Sequence, residues 1–353
     1  MTDHQTHVSS RTFANVRLVG GDVLPECTIA YRTLGSLNPA GDNAVLVLHG
    51  YTTGPAMLDE GANVAEGSWS GLVGPGRAID TERYFVICPN MLGSSYGSTG
   101  PGSIDPASGI PYGADFPPIA VEDIVATQAM LMDALGVRRL AAVVGPSFGG
   151  YQALQWAVMY PEMVDRVAAA VSAPYNPASA VQSAGLLALL DAQPEWNGGH
   201  PAPGAMAPLL TTLRIDTLTR YGVDAELRPR FPDAAARAAE IERLAREWAE
   251  GFVAGSLVTL ARTAEAFDLR ARLDEIRAPL LLVLARTDPV FSPALAREVA
   301  PLFDAAGTRW SYLELDSELG HFASGADARL WAEDLRRFLA TDPGEWVSWG
   351  LSP

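Results

Sequence analysis

A serine hydroxyl is a poor nucleophile until a neighbouring base takes its proton, so the serine of interest in this 353-residue chain is one placed where a base can reach it. Ser147 is such a serine. It sits at the centre of Gly145-Pro146-Ser147-Phe148-Gly149, between the apolar run 140–144 and a segment where Tyr151, Leu154, Ala157 and Val158 recur at helical spacing. A glycine two residues to either side lets a strand turn sharply into a helix without side-chain clashes, and the central hydroxyl is left projecting into a cleft. Of the five histidines, His4 and His7 lie in a polar start, His200 in a Gly/Pro-rich stretch, and His49 at the end of the apolar run VLVLH. His321 follows SELG and precedes the last helical pattern, a loop position at the carboxyl edge of a sheet, which makes it the candidate base. The candidate carboxylate that holds the imidazole in its working tautomer is Asp288, in the turn Arg286-Thr287-Asp288-Pro289 behind the apolar run LLLVLA. Asp316 and Glu318 compete for that role, but their closeness to His321 in sequence points to shaping its loop. The chemistry these residues could perform is acyl transfer through a serine ester.

Acyl transfer also needs donors aimed at the tetrahedral oxyanion. One is the N–H of the residue after the nucleophile, Phe148. The other is expected from His49-Gly50-Tyr51-Thr52-Thr53-Gly54, where Gly50 lets the backbone turn towards the cleft. Tyr51 N–H is the expected donor and Thr52 its alternative. His49 is read as a brace for this loop, not as a base.

These groups need a scaffold that brings several loops to one edge. Strand-like runs at 27–33, 44–48, 84–89, 140–144, 167–172, 280–285 and 310–315 are separated, in several cases, by helical patterns, notably 119–135, 150–160, 293–303 and 326–339. Strand alternating with helix predicts an α/β fold, a mainly parallel sheet with helices on both faces. The alternation stops at 174–275, where only helical patterns and a Pro/Gly-rich turn region appear, so the expected division is a core of 1–173 and 276–353 carrying a helical lid insertion of 174–275. A composition 48% hydrophobic can bury such a core. The formal charge of −16, from 25 Lys+Arg against 41 Asp+Glu, argues against nucleic acid and anionic membranes as partners. Cys27 and Cys88, each within or beside an apolar segment, read as buried thiols of a reducing compartment. With no secretion signal and no apolar run of membrane-spanning length, a cytoplasmic location is expected.

Serine, aspartate and histidine occur here in the chain order of the α/β-hydrolase triad, and two long segments narrow the resemblance. CPNMLGSSYGSTGPGSIDPASGIPYGADFP from Cys88 and VVGPSFGGYQALQWAVMYPEMVDRV from Val143 resemble the homoserine O-acetyltransferase branch of that superfamily, as do YRTLGSLNP and WNGG. The resemblance spans roughly residues 10 to 340. It implies the α/β-hydrolase fold, no metal or redox cofactor, acetyl-CoA as cosubstrate for a transferase, and a homodimer formed through the lid. The departures fall where that family binds its acceptor. Its base histidine is followed by an aspartate that engages the substrate amine, where this chain has Phe322. A basic residue usually precedes GSTGP, where this chain has Tyr96 and Gly97. The lid arginine that pairs with the homoserine carboxylate has no clear counterpart after Gly204, where AMAPLLTTL is apolar, Arg214 being a displaced substitute.

Thr52, Tyr96 and Phe322 are therefore the candidate substrate-binding residues. A zwitterion in a partly dry pocket needs charged partners, so the leading expectation is a serine hydrolase of small acyl esters, with an O-acetyltransferase acting from acetyl-CoA on homoserine or another alcohol as the alternative. A binding protein without catalysis would have no chemical reason to combine the elbow with the Asp288 and His321 loops.

Overall fold

The computed structural model describes residues 8–62, 67–177 and 182–346, so His4 and His7 lie outside the described residues. Its centre is an eight-stranded sheet made from β1 (Ser9–Arg17), β2 (Val23–Leu34), β3 (Ala44–Val47), β6 (Phe85–Pro89), β7 (Leu140–Pro146), β8 (Val167–Ala170), β9 (Leu280–Ala285) and β10 (Trp310–Leu315), with β4 (Val73–Gly74) and β5 (Ile79–Asp80) forming a separate two-stranded pair. The order is β1-β2-β6-β3-β7-β8-β9-β10. From β6 to β10 every neighbouring pair is parallel, while β1 and β2 run antiparallel at one edge.

The central strands bury both faces. Leu46 and Leu48 enter one apolar cluster and Val45 and Val47 the other, the period-2 alternation of a strand covered above and below. The first cluster is closed by α1 (Val121–Ala134), α2 (Phe148–Met159) and α8 (Ala294–Ala306), the second by Trp331 with Leu335 and Phe338 of α10 (Ala332–Ala340). Cys27 belongs to one cluster and Cys88 to the other, so two buried free thiols lie on opposite faces of the sheet. Between β8 and β9 stand α3 (Ser183–Asp191), α4 (Ala207–Tyr221), α5 (Val223–Leu227), α6 (Ala234–Gly251) and α7 (Ala254–Glu265), which have two small apolar clusters of their own. No helix among the described residues is long and apolar enough to cross a membrane.

Two readings of the sequence need correction. The polar start is not a tail throughout: Ser9–Arg17 is an edge strand, invisible to hydropathy because only Val16 in it is buried and its backbone ladder with β2 holds it. The last helical pattern, 326–339, is not one helix: behind α9 (Ala323–Ala326) it begins with a 3-10 turn at Ala328–Leu330 and only then enters α10, an interruption that sinks the fully buried Trp331 indole into the core.

The strand order reverses between β6-β3 and β3-β7, and the crevice at the carboxyl ends of such neighbours is where this architecture holds ligands. The start of α2 crosses very close to the end of β3. A Cβ on Gly145 would lie 2.6 Å from the Leu48 carbonyl oxygen, and one on Gly149 would lie closer still. Gly149→Ala should therefore cost about 2–3 kcal/mol of unfolding free energy, as overpacked cores do. Exposed Gly185 in α3 has open space around it, so Gly185→Ala should raise stability by about 0.5–1 kcal/mol. Urea denaturation of both variants measures the contrast.

Candidate active site

Ser147 occupies the turn between β7 and α2 with φ 55° and ψ −122°, a backbone state that non-glycine residues rarely adopt. Its surroundings over-determine it. The Ser147 N–H donates to Ala170 O at 2.9 Å, the Ser172 hydroxyl donates to Ser147 O at 2.8 Å, and Gly150 N–H donates to the same oxygen at 2.8 Å. Phe148 opens α2, and the first-turn amides of a helix have no partner within it.

The His321 imidazole is held from its far nitrogen. His321 Nδ1 lies 2.8 Å from Asp288 Oδ2, with both side chains almost wholly buried. The other carboxylate oxygen of Asp288 accepts the N–H groups of Val290 at 2.7 Å and Phe291 at 3.1 Å, so the acid is fixed before it meets the imidazole. The ring lies between Phe291, centroid 5.8 Å away and nearly parallel, and Tyr221 at 4.5 Å. Tyr221 comes so close because Gly320, at φ 56°, has no Cβ to collide with the Tyr221 carbonyl. Asp316 and Glu318 point elsewhere: both pair with exposed Arg286, Asp316 at 2.6 Å.

The loop after β3 is braced from below and clamped from above. Met91 N–H donates to His49 Nε2 at 3.2 Å, leaving Nδ1 to donate to Gly50 O at 2.9 Å. Complete burial lowers the His49 pKa to about 4, against smaller raising effects from the Gly50 carbonyl and Asn90. Gln152, whose amide nitrogen donates to His49 O at 3.2 Å and Phe148 O at 3.3 Å, joins this loop to the elbow. Gln128 and Trp156 extend the buried chain, at 2.7 and 2.8 Å. From above, the Tyr51 hydroxyl donates to Leu257 O at 2.5 Å, Trp248 Nε1 donates to Thr52 O at 2.9 Å, and Arg214 donates to Thr52 Oγ1 at 2.6 Å. Burial raises the phenols of Tyr51 and Tyr221 above their ordinary value, so both are neutral hydrogen-bonding groups.

One cavity brings together Ser147, His321, Tyr51, Thr52, Phe322 and Arg214. Arg214 is the main correction to the sequence reading. It is 3% exposed, its guanidinium lies 4.8 Å from the Trp248 ring centroid, and it places a cation in a wall expected to lack one. Its neighbours in sequence are apolar because they pack inside the insertion, and only the helical turn of α4 carries residue 214 round to the cavity. Tyr96 lies elsewhere. Its ring packs 5.8 Å from Phe252 and under Gly54, so it supports the loop from behind. Phe322 lines the cavity with its ring 5.9 Å from Tyr221. Sequence reasoning missed Gln128, Gln152, Trp248 and Tyr221; the visible signal was a pair of glutamines on helix faces that otherwise read as buried. Among the described residues no group of three or more His, Cys, Asp or Glu could hold a metal ion.

A strained serine elbow after β7, with a paired Asp288 and His321 on the loops after β9 and β10 of a largely parallel sheet, is the arrangement of an α/β-hydrolase. The family description "alpha/beta hydrolase fold" matches residues 43–325. The homoserine O-acetyltransferase of Symbiobacterium thermophilum is 38% identical over 91% of this chain and 91% of its own, and the homoserine O-succinyltransferase of Methylibium petroleiphilum 36% identical over 97% and 96%. The crystal structure of an esterase superposes with a TM-score of 0.82 at 25% identity, covering 94% of this chain and all of that one. This chain belongs to the α/β-hydrolase superfamily, in its homoserine O-acetyltransferase-like branch, and is an enzyme of the serine hydrolase and acyltransferase class.

Because the folded state holds His49 neutral while the unfolded imidazole protonates near 6.5, its contribution to stability is complete above that pH and is lost as pH falls towards 4. The loss attributable to this ring is about 3 kcal/mol. Denaturation of wild type and His49→Gln across this window should show the acid-dependent fall reduced by that amount in the variant.

Proposed function

We propose that this enzyme is an O-acyltransferase that moves an acyl group from acyl-CoA to the hydroxyl of a small carboxylate-bearing alcohol, homoserine being the acceptor named for the relatives above. The observation that carries this reading is the buried Arg214 in the same cavity as Ser147 and His321. A guanidinium in a cavity wall beside the nucleophile and the base matches a carboxylate in two-pronged geometry. The reading reverses the preference drawn from sequence, where an apolar acceptor pocket favoured an ester hydrolase. The relatives named as acyltransferases support the same reversal.

In this mechanism Ser147 Oγ attacks the thioester carbon while His321 takes the hydroxyl proton and Asp288 orients and stabilises the resulting imidazolium. The N–H groups of Tyr51 and Phe148 receive the oxyanion. The carbon–sulfur bond breaks and the proton passes from His321 to the departing thiol. The acceptor hydroxyl, deprotonated by His321, then attacks the serine ester, and the product ester leaves with Ser147 restored. Residues 174–275 act as the lid: Arg214, Trp248 and Leu257 all reach from it to the loop at Tyr51 and Thr52. Water in place of the alcohol completes an esterase cycle on the same groups, a reading that Phe322 and the likeness to an esterase favour.

Thiol release from acetyl-CoA, measured with and without L-homoserine and with hydroxy acids that lack the amine, separates the two. Release that depends on a hydroxycarboxylate supports the transferase. Acetyl-CoA left intact with every acceptor, beside turnover of simple acetate esters, overturns it. Ser147→Ala should abolish turnover while the circular dichroism spectrum is retained, and Asp288→Asn should lower kcat by about 10⁴-fold. Arg214→Leu should raise the acceptor KM by about 10–100-fold, the worth of a charge-assisted contact of about 1.5–3 kcal/mol, with a smaller effect on acylation by p-nitrophenyl acetate. An equal fall in both rates would give Arg214 a purely structural role.

A further inference from the structure

β8 ends on the strained backbone of Val171. This residue has φ 43°, a left-handed conformation that a β-branched side chain rarely adopts, yet it is fully buried and its N–H still donates to Val283 O of β9 at 2.7 Å. The kink breaks the side-chain alternation of the strand. Val167 and Ala169 enter the apolar cluster beneath α2, Ala168 and Ala170 the one on the other face, and Val171 stays with Ala168 and Ala170 where alternation would send it across. Ser172 is thereby turned towards α2: a Cβ on Gly150 would collide with the Ser172 Cβ and Oγ and touch the Ala169 Cβ at 3.4 Å, so Ser172 shares the face of Ala169. We propose that Ser172 is a positioning residue for the oxyanion, setting the direction of the Phe148 N–H, and that the strain at Val171 is what aims it. The proposal rests on the oxyanion donors and the serine ester put forward above.

One peptide unit links Ser172 to the donor. The Ser147 carbonyl and the Phe148 N–H share a plane and, in a trans peptide, point in opposite directions, so whatever fixes the carbonyl fixes the N–H. Three groups reach Ser147 O. Gly150 N–H at 2.8 Å and Tyr151 N–H at 3.3 Å belong to α2 and turn with it, whereas the Ser172 hydroxyl at 2.8 Å stands at the end of β8 and is fully buried. Ala170 O takes the Ser147 N–H at 2.9 Å, so the two residues flanking Val171 hold the Ser147 backbone from both sides. Ser172 thus ties the plane to the sheet, where the other two donors tie it to the helix. A hydrogen bond donated to a carbonyl also polarises the peptide and strengthens its N–H as a donor. The opposite side is built alike: His49 Nδ1 donates to Gly50 O at 2.9 Å, and the N–H of that peptide unit is the one of Tyr51.

The direction of that N–H matters when charge develops. As Ser147 Oγ bonds to a carbonyl carbon, the hydroxyl proton goes to His321 and the carbonyl π pair settles on the oxygen, which both N–H groups then meet. A plane free to tilt leaves that oxygen with one well-directed donor. Loss of a whole donor from such a site costs about 10²–10³-fold in rate, so a loosened one should cost less, about 10–30-fold.

Ser172→Ala removes the hydroxyl and leaves Ser147 O its two helix donors. Two measurements read the variant: the nitrophenol burst from p-nitrophenyl acetate, and inhibition by trifluoroacetone, which adds to Ser147 as a hemiketal whose charged oxygen meets the same two amides. The burst rate constant should fall about 10–30-fold, with the half-saturating ester concentration within about 2-fold of wild type. Trifluoroacetone affinity should fall by the same factor as the burst, a parallel that a merely structural serine would not produce. Ser172→Cys, similar in shape but a weak donor, should lie between wild type and the alanine variant, and it stands in if that variant does not fold. A burst within about 2-fold of wild type in a folded variant, or a slowed burst with trifluoroacetone affinity unchanged, overturns the proposal. Neither probe needs CoA or an alcohol, so intact acetyl-CoA would overturn the transferase reading and leave the role of Ser172 standing. A wild-type burst that survives Ser147→Ala overturns the serine ester and this proposal with it.

Discussion

The end of β3 and the beginning of α2 share a space too small for a side chain, and the site depends on that crossing. Leu48 O blocks a Cβ at Gly145 and at Gly149, which forces Ser147 between them into its strained turn. Strain of this kind, of order 1–3 kcal/mol, persists only where neighbours leave no relaxed alternative. Here Ala170, Ser172 and Gly150 take up both backbone groups of Ser147, and the Gln152 amide ties the carbonyls of His49 and Phe148 together. The same crossing therefore sets the position of the nucleophile and its distance from the loop that carries Tyr51.

That loop has two masters. From the core it is held by a neutral imidazole whose protonation burial suppresses, and from the insertion by Tyr51, Trp248 and Arg214 contacts to three different helices. The second set couples the insertion to the loop whose Tyr51 amide is the proposed oxyanion donor. Arg214 has a double part in this: its bond to Thr52 clamps the loop, and its stacking on Trp248 keeps a guanidinium at a fixed height in the cavity wall. A flexible cation would have to give up side-chain entropy on meeting its substrate, whereas one already fixed by a ring and a hydroxyl has lost it on folding.

Most of the scaffold was legible from residues. Apolar runs marked seven of the eight strands of the main sheet, most plainly β3, β8 and β9, which are buried throughout, and the glycines of the elbow announced a turn that only they can make. Turn chemistry placed Asp288 and His321 just beyond apolar strands, and the structure pairs their side chains. The unreadable parts share a cause: their meaning lies in packing across elements distant in sequence. β1 has a strand's backbone without a strand's hydropathy. Arg214 sits in an apolar helical pattern and meets Thr52 only through the folded insertion. Gln128, Gln152 and Trp156 look like ordinary helix residues until α1 and α2 bring them into one hydrogen-bonded chain beneath the nucleophile.

On the proposed mechanism an elbow, an acid and a base make an acyl-enzyme, and they leave open what takes the acyl group away. Water is always present at high concentration, so transfer to an alcohol prevails only when binding holds the acceptor in attacking geometry often enough to compete. Two features of the cavity bear on that balance. Arg214 sets a cation in the cavity wall, and Tyr221 and Phe291 flank the imidazole with rings that disfavour loosely held water. A wall with a fixed cation and no apolar screen would bind acceptors and still leak to hydrolysis; a wall with the screen alone would bind nothing polar. On the transferase reading, the two together make the acyl group's fate a question of how well the acceptor fills the space between Arg214 and His321, and so place selectivity in the second half of the reaction as much as in the first.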